Sequence, residues 1–72
     1  MTYYAWYVKV EFGKQRIPPK FRAVVENLAK RRKIEFLYYD EYIVYSYIAL
    51  LRIINAVHVY GGKVHVSRIV IS

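Results

Sequence analysis

Residues 42 to 66 read YIVYSYIALLRIINAVHVYGGKVHV, and the way this stretch divides decides the fold. Ile43, Tyr47, Leu50, Leu51 and Ile54 recur at helical spacing, and the run from Tyr42 to Ile54 is longer than a usual strand, so the pattern predicts a helix. Asp40 stands where a side-chain oxygen can cap such a helix. Only Ser46 and Arg52 interrupt its apolar surface, which is more than one buried face absorbs. Tyr47, Leu51 and Ile54 are therefore the expected residues of a subunit interface. Beyond it, Ala56 to Tyr60 and Lys63 to Ile71 alternate on either side of Gly61-Gly62. Two glycines between alternating runs mark a two-residue hairpin turn, whose central positions need positive φ. In that register Tyr60 faces Lys63, Val59 faces Val64, His58 faces His65 and Val57 faces Val66. A phase shift between Val66 and Ile69 predicts a bulge near Ser67 and Arg68.

Working back toward the N-terminus, residues 2 to 12 alternate, with Tyr4, Trp6, Val8, Val10 and Phe12 on one face and Tyr3, Ala5, Tyr7, Lys9 and Glu11 on the other. This is the period of a half-buried strand. Gly13 ends it, and Pro18-Pro19 suit the first turn of a helix, where φ is fixed and the N–H is dispensable. Phe21, Val24, Val25 and Leu28 then form the apolar stripe of an amphipathic helix. Ile34, Phe36 and Tyr38 alternate with Glu35, Leu37 and Tyr39 as a second strand. The expected fold is a single two-layer α/β domain over residues 1 to 72, in the order β-α-β-α-β-β, with a mixed four-stranded sheet and two helices. A second division stays open. A strand over 42 to 47 followed by a short helix gives the ferredoxin-like order βαββαβ.

A chain of 72 residues buries only about 60% of its unfolded surface, so domains of this size lean on disulfides, metal, association or dense packing. There is no cysteine, and two histidines alone do not make a structural zinc site. Packing and association remain, and 57% of the residues are hydrophobic, including nine tyrosines that one small core cannot all hold. No signal peptide is legible at the N-terminus, and the longest uncharged apolar run, Tyr42 to Leu51, falls short of the roughly 20 residues of a bilayer span. A cytoplasmic protein without membrane contact is expected. The lack of cysteine and the few amides are compatible with a thermophile.

Charge is the strongest functional signal. From Lys14 to Lys33 eight bases, Lys14, Arg16, Lys20, Arg22, Lys30, Arg31, Arg32 and Lys33, stand against the single acid Glu26. The rest of the chain balances four bases with four acids, so the whole net charge of +7 belongs to that segment. Segregated charge of one sign attracts a polyanion, whereas a merely solvated helix face mixes signs. DNA or RNA is the expected partner, with phosphates on Lys14, Arg16, Lys20 and Arg22 and, at the far end of the helix, Arg31, Arg32 and Lys33. Four such contacts on a duplex give a slope of log K against log salt near about −3.5. Tyr3, Tyr7 and Tyr60 are candidates to stack unpaired bases, or to pack in the core or an interface. Catalysis is not expected: no nucleophilic triad, paired carboxylates or phosphate loop is legible, and no cofactor is implied. The competing expectation is an accessory subunit that docks on another protein through the apolar second helix.

Phe12-Gly13-Lys14 after the first strand, Val66-Ser67-Arg68-Ile69-Val70-Ile71 at the end, and the order β-α-β-α-β-β resemble the Alba family. That resemblance implies a homodimer that binds DNA or RNA through its first loop and its last hairpin, and it places Lys14 in the loop and Lys63 at the hairpin tip. Gly61-Gly62 is shorter than that family's extended hairpin, and Asp40 and Glu41 stand where the family tends to be basic.

Overall fold

The computed structural model describes residues 3–71, with the backbone alone for Tyr3. The elements are β1 (Tyr3–Glu11), α1 (Pro19–Lys30), β2 (Ile34–Tyr38), β3 (Glu41–Val44), α2 (Tyr47–Val59) and β4 (Lys63–Ile71). The two-layer α/β architecture, with four strands and two helices, is the one expected. Its order is the second division, βαββαβ, and the sheet runs β2-β3-β1-β4 with every neighbouring pair antiparallel rather than mixed.

The alternation of β1 sends Val8 and Val10 into the core, with Trp6 packed against it, while Tyr7, Lys9 and Glu11 lie on the uncovered face. Helix α1 begins with Pro19, takes the Pro18 carbonyl as acceptor for the Arg22 N–H at 3.0 Å, and buries Phe21, Val25 and Leu28. Phe12, just past β1, meets Phe21 edge to face with centroids 5.1 Å apart, which ties the strand's exit to the helix's first turn.

The stretch that decides the fold divides at Tyr45-Ser46. Tyr42 and Val44 are fully buried and pair with Val8 and Trp6 of β1, so β-branched and aromatic residues that also fit a helical stripe are held as strand by the sheet. Asp40 is therefore part of the β2–β3 turn, where its carbonyl accepts from the Val10 N–H at 3.0 Å, and is not a helix cap. The cap is Ser46, whose Oγ accepts from the Ala49 N–H at 3.3 Å.

Helix α2 then runs on through Ala56 to Val59, the residues expected as a third strand, because Ala49, Leu50, Ile53, Ala56 and Val57 make one continuous buried face. Gly61-Gly62 closes this helix. The Gly61 N–H donates to the His58 carbonyl at 3.2 Å and the Gly62 N–H to the Val57 carbonyl at 2.8 Å, the two bonds of a Schellman cap, with Gly61 at φ 76°. The requirement for positive φ was legible, but a helix end and a tight hairpin share it.

The hairpin register consequently does not exist. β4 pairs with β1 without a break from Tyr3↔Ile71 to Glu11↔Lys63, so Ser67 and Arg68 form no bulge, and the irregularity lies between Phe36 and Tyr38 of β2. Arg68 disturbs the alternation because it sits over the Tyr4 ring, 4.1 Å from the centroid, on the helix side of an edge strand. His58 is on α2 and His65 on β4 opposite Lys9, so the two histidines do not face each other. The connection order that contributed to the Alba resemblance is absent. Among the described residues no helix is long and apolar enough to cross a membrane.

Candidate nucleic-acid interface

Antiparallel pairing of β1 with both β3 and β4 gathers four segments at one end of the sheet: the β1–α1 loop, the start of α1, the β2–β3 turn and the start of β4. Lys14 and Arg16 lie in that loop, Lys20 and Arg22 in the first turn of α1, and Lys63 at the start of β4. Arg31 caps the C-terminus of α1, and Arg32 and Lys33 follow it at the opposite end of the molecule. All eight side chains are exposed. The basic segment is thus split into two groups separated by the 12 residues of α1, about 18 Å of helix. Lys63 pairs with Glu11 on the uncovered face of the sheet, away from the helices, so it does not join the loop lysine.

Of these cations only Arg22 has an acidic partner among the described residues. Glu26 pairs with Arg22 at 3.5 Å on exposed α1, Glu11 lies 3.7 Å from His65, and Glu41 accepts a 2.5 Å hydrogen bond from the Tyr7 hydroxyl. That bond to a carboxylate raises the Tyr7 phenol above its ordinary value, with partial burial and the charges of Glu41 and Asp40 adding to it. The Tyr45 phenol is raised chiefly by burial, with a smaller contribution from Glu35. Among the described residues Lys14, Arg16, Lys20, Arg31, Arg32 and Lys33 take part in no ion pair.

Arg32 is the more telling member of the far group. It holds φ 59°, the left-handed region, because it occupies the position after the α1 cap; its N–H donates to the Ala29 carbonyl and that of Lys33 to the Leu28 carbonyl, each at 3.0 Å. Glycine fills this position without strain, whereas a side chain here costs roughly 1 kcal/mol.

At the loop end the cations border an open cleft of about 1210 Å³ between α1, the β1–α1 loop and the β2–β3 turn. Lys14, Arg16 and Arg22 line it together with Phe36, Tyr38 and Tyr39. The rings are left in water at 45%, 60% and 64% exposure, respectively, because β2 is an edge strand that α1 covers only in part. These three aromatics were not among the expected stacking residues. Of those, Tyr7 is tied to Glu41, Tyr60 caps α2, and the side chain of Tyr3 lies outside the described residues. The signal for the new ones was present in Tyr38-Tyr39-Asp40-Glu41, a polar turn between the alternating pairs Ile34/Phe36 and Tyr42/Val44, which puts both tyrosines at a hairpin tip.

The expected interface residues lie on the outer side of α2. Tyr47 is 60% and Leu51 47% exposed, and Ile54 is half-buried beside Val64 of β4. Tyr47 also touches Trp6, centroids 5.9 Å apart, so the apolar surface of α2 continues onto the sheet. Comparison with protein-family models, curated proteins and solved structures matches nothing to this chain.

Proposed function

We propose that this chain is a nucleic-acid-binding protein that holds DNA or RNA through phosphate contacts, with little sequence preference, and that it acts by binding rather than catalysis. The observation that carries this reading is the pair of exposed cations Lys14 and Arg16, without carboxylate partners among the described residues, lining a cleft that also offers aromatic rings, with the unpaired Lys20 nearby in the first turn of α1. Arg31, Arg32 and Lys33 form a second, weaker contact for longer ligands. The test is an anisotropy titration of short DNA and RNA against the protein and its Lys14→Glu/Arg16→Glu variant. Reversing two exposed charges leaves the fold intact and weakens binding by at least tenfold for every ligand; unchanged binding contradicts the reading.

The protein is proposed to work as a homodimer in the cytoplasm. Exposed apolar side chains favour association: Tyr47 and Leu51 on the outer side of α2 and Val66 and Val70 on the edge strand β4 stand in water and would be covered by a second copy. The same surface supports the second reading, an accessory subunit that docks on a different protein, and a chain that stays monomeric while binding no nucleic acid favours that one.

A further inference from the structure

We infer that the cleft beside α1 seats an unpaired base of a single-stranded nucleic acid, with the flanking phosphates on Lys14 and Arg16 at its mouth. This rests on the nucleic-acid reading above and narrows its ligand from any polyanion to a single strand. The ring geometry comes first. Tyr38 and Tyr39 stand almost perpendicular, at 82° with centroids 5.2 Å apart, so one offers a face where the other offers an edge, the corner into which a flat heterocycle fits. The wall behind them is anchored: Phe36 meets Tyr42 edge to face at 5.3 Å, and the buried Tyr42 donates its hydroxyl to the Tyr39 carbonyl at 3.1 Å. The backbone that carries Tyr39 is thereby fixed, which leaves less to order on binding.

Charge then decides what enters. Glu11, Glu26 and Asp40 line the cleft against Lys9, Lys14, Arg16 and Arg22, so its charge is nearly balanced, and a neutral base enters without the repulsion that a phosphate meets from each carboxylate. Backbone phosphates stay at the mouth, where Lys14 and Arg16 have no acidic partner among the described residues. A volume of about 1210 Å³ leaves ample room for a base. A duplex keeps its bases stacked and paired and so offers none to the corner.

Labelled oligo(dT) and oligo(U) of about twelve nucleotides, and duplex DNA of the same length, are titrated with the full chain, with Tyr38→Ala/Tyr39→Ala, and with Tyr38→Leu/Tyr39→Leu, which keeps apolar bulk but no ring. Both positions are exposed, and circular dichroism confirms that each variant is folded. The expected result is single-strand binding weakened about tenfold in both variants and duplex binding unchanged. Equal loss on single and double strands, or no loss on either, overturns the base site while leaving the phosphate reading standing, provided that Lys14→Glu/Arg16→Glu weakens all ligands. A tyrosine variant that alters the sedimentation of the free protein assigns the rings to a contact between copies and also overturns it. No binding of any ligand by the unaltered chain ends both.

Discussion

Tyr42 carries two roles that a single hydroxyl distinguishes. Its ring fills the core with no exposed surface, and its hydroxyl reaches the Tyr39 carbonyl at the β2–β3 turn, so Tyr42→Phe keeps the packing and loses about 1 kcal/mol of stability in a urea titration. Burial is the main reason its phenol lies far above the ordinary value of 10.0, with the Asp40 charge adding and Arg22 opposing. A phenol raised in the folded state stabilises fully below pH 10, and that stability is lost as pH climbs through the raised value, because the unfolded chain ionises first. Tyr7 and Tyr45 shift the same way. Alkaline titration followed by tyrosinate absorbance is expected to show a first group of tyrosines near their usual range and a later group that ionises together with unfolding; a single transition near pH 10 with the fold intact contradicts this. Arg32 supplies the second test at this scale. Arg32→Gly releases the left-handed strain and raises stability by about 1 kcal/mol, while removing a cation lowers nucleic-acid affinity; a loss of stability contradicts the strain argument. Individual cations were readable because charge shows without a fold, whereas Tyr38 and Tyr39 were signalled only by the polar turn beside them and Phe36 not at all, since exposure depends on which strand is at the edge of the sheet.

Helix α2 shows why elements were only partly legible. β1, α1 and β2 fall where alternation, the double proline and the apolar stripe place them. From Tyr42 onward two periods overlap: Tyr42 and Val44 fit a strand, Ile43 and Tyr47 fit a helix, and pairing with Val8 and Trp6 decides in favour of the strand. The serine at 46 was the local clue, an N-cap three residues before Ala49. Gly61-Gly62 misled for a physical reason, since a Schellman cap and a type I′ turn both call for positive φ. The two glycines are not equivalent here, and that is testable. Gly61→Ala has open space and only backbone strain to meet, about 1 kcal/mol, whereas a Cβ at Gly62 falls 2.6 Å from the Phe12 ring and 2.8 Å from the Glu11 carbonyl oxygen. Gly62→Ala is expected to cost more, on the order of 2 to 3 kcal/mol by thermal or urea unfolding. Equal costs contradict the observed packing of Phe12.

For the whole molecule, the net charge of +7 is a sequence property, but its arrangement is not. The order βαββαβ puts the ends of α1 at opposite ends of the sheet, which divides the basic segment, and brings the β2–β3 turn against the β1–α1 loop, which creates the cleft. The division follows equally from β-α-β-α-β-β, which shares the β1-α1-β2 crossover, whereas the cleft does not. The same order leaves β4 at an open edge beside α2, and Leu51→Lys is expected to convert a sedimenting dimer into a monomer without unfolding it; a protein already monomeric at high concentration contradicts the proposed interface. In the proposed function, loop and helix cations hold a phosphate backbone. The most direct measurement of that hold is the affinity of the unaltered chain for a short single strand across a salt series. With Lys14, Arg16 and Lys20 as the contacts, log K is predicted to fall against log salt with a slope near about −2, and an affinity indifferent to salt, or no binding even at low salt, contradicts the account.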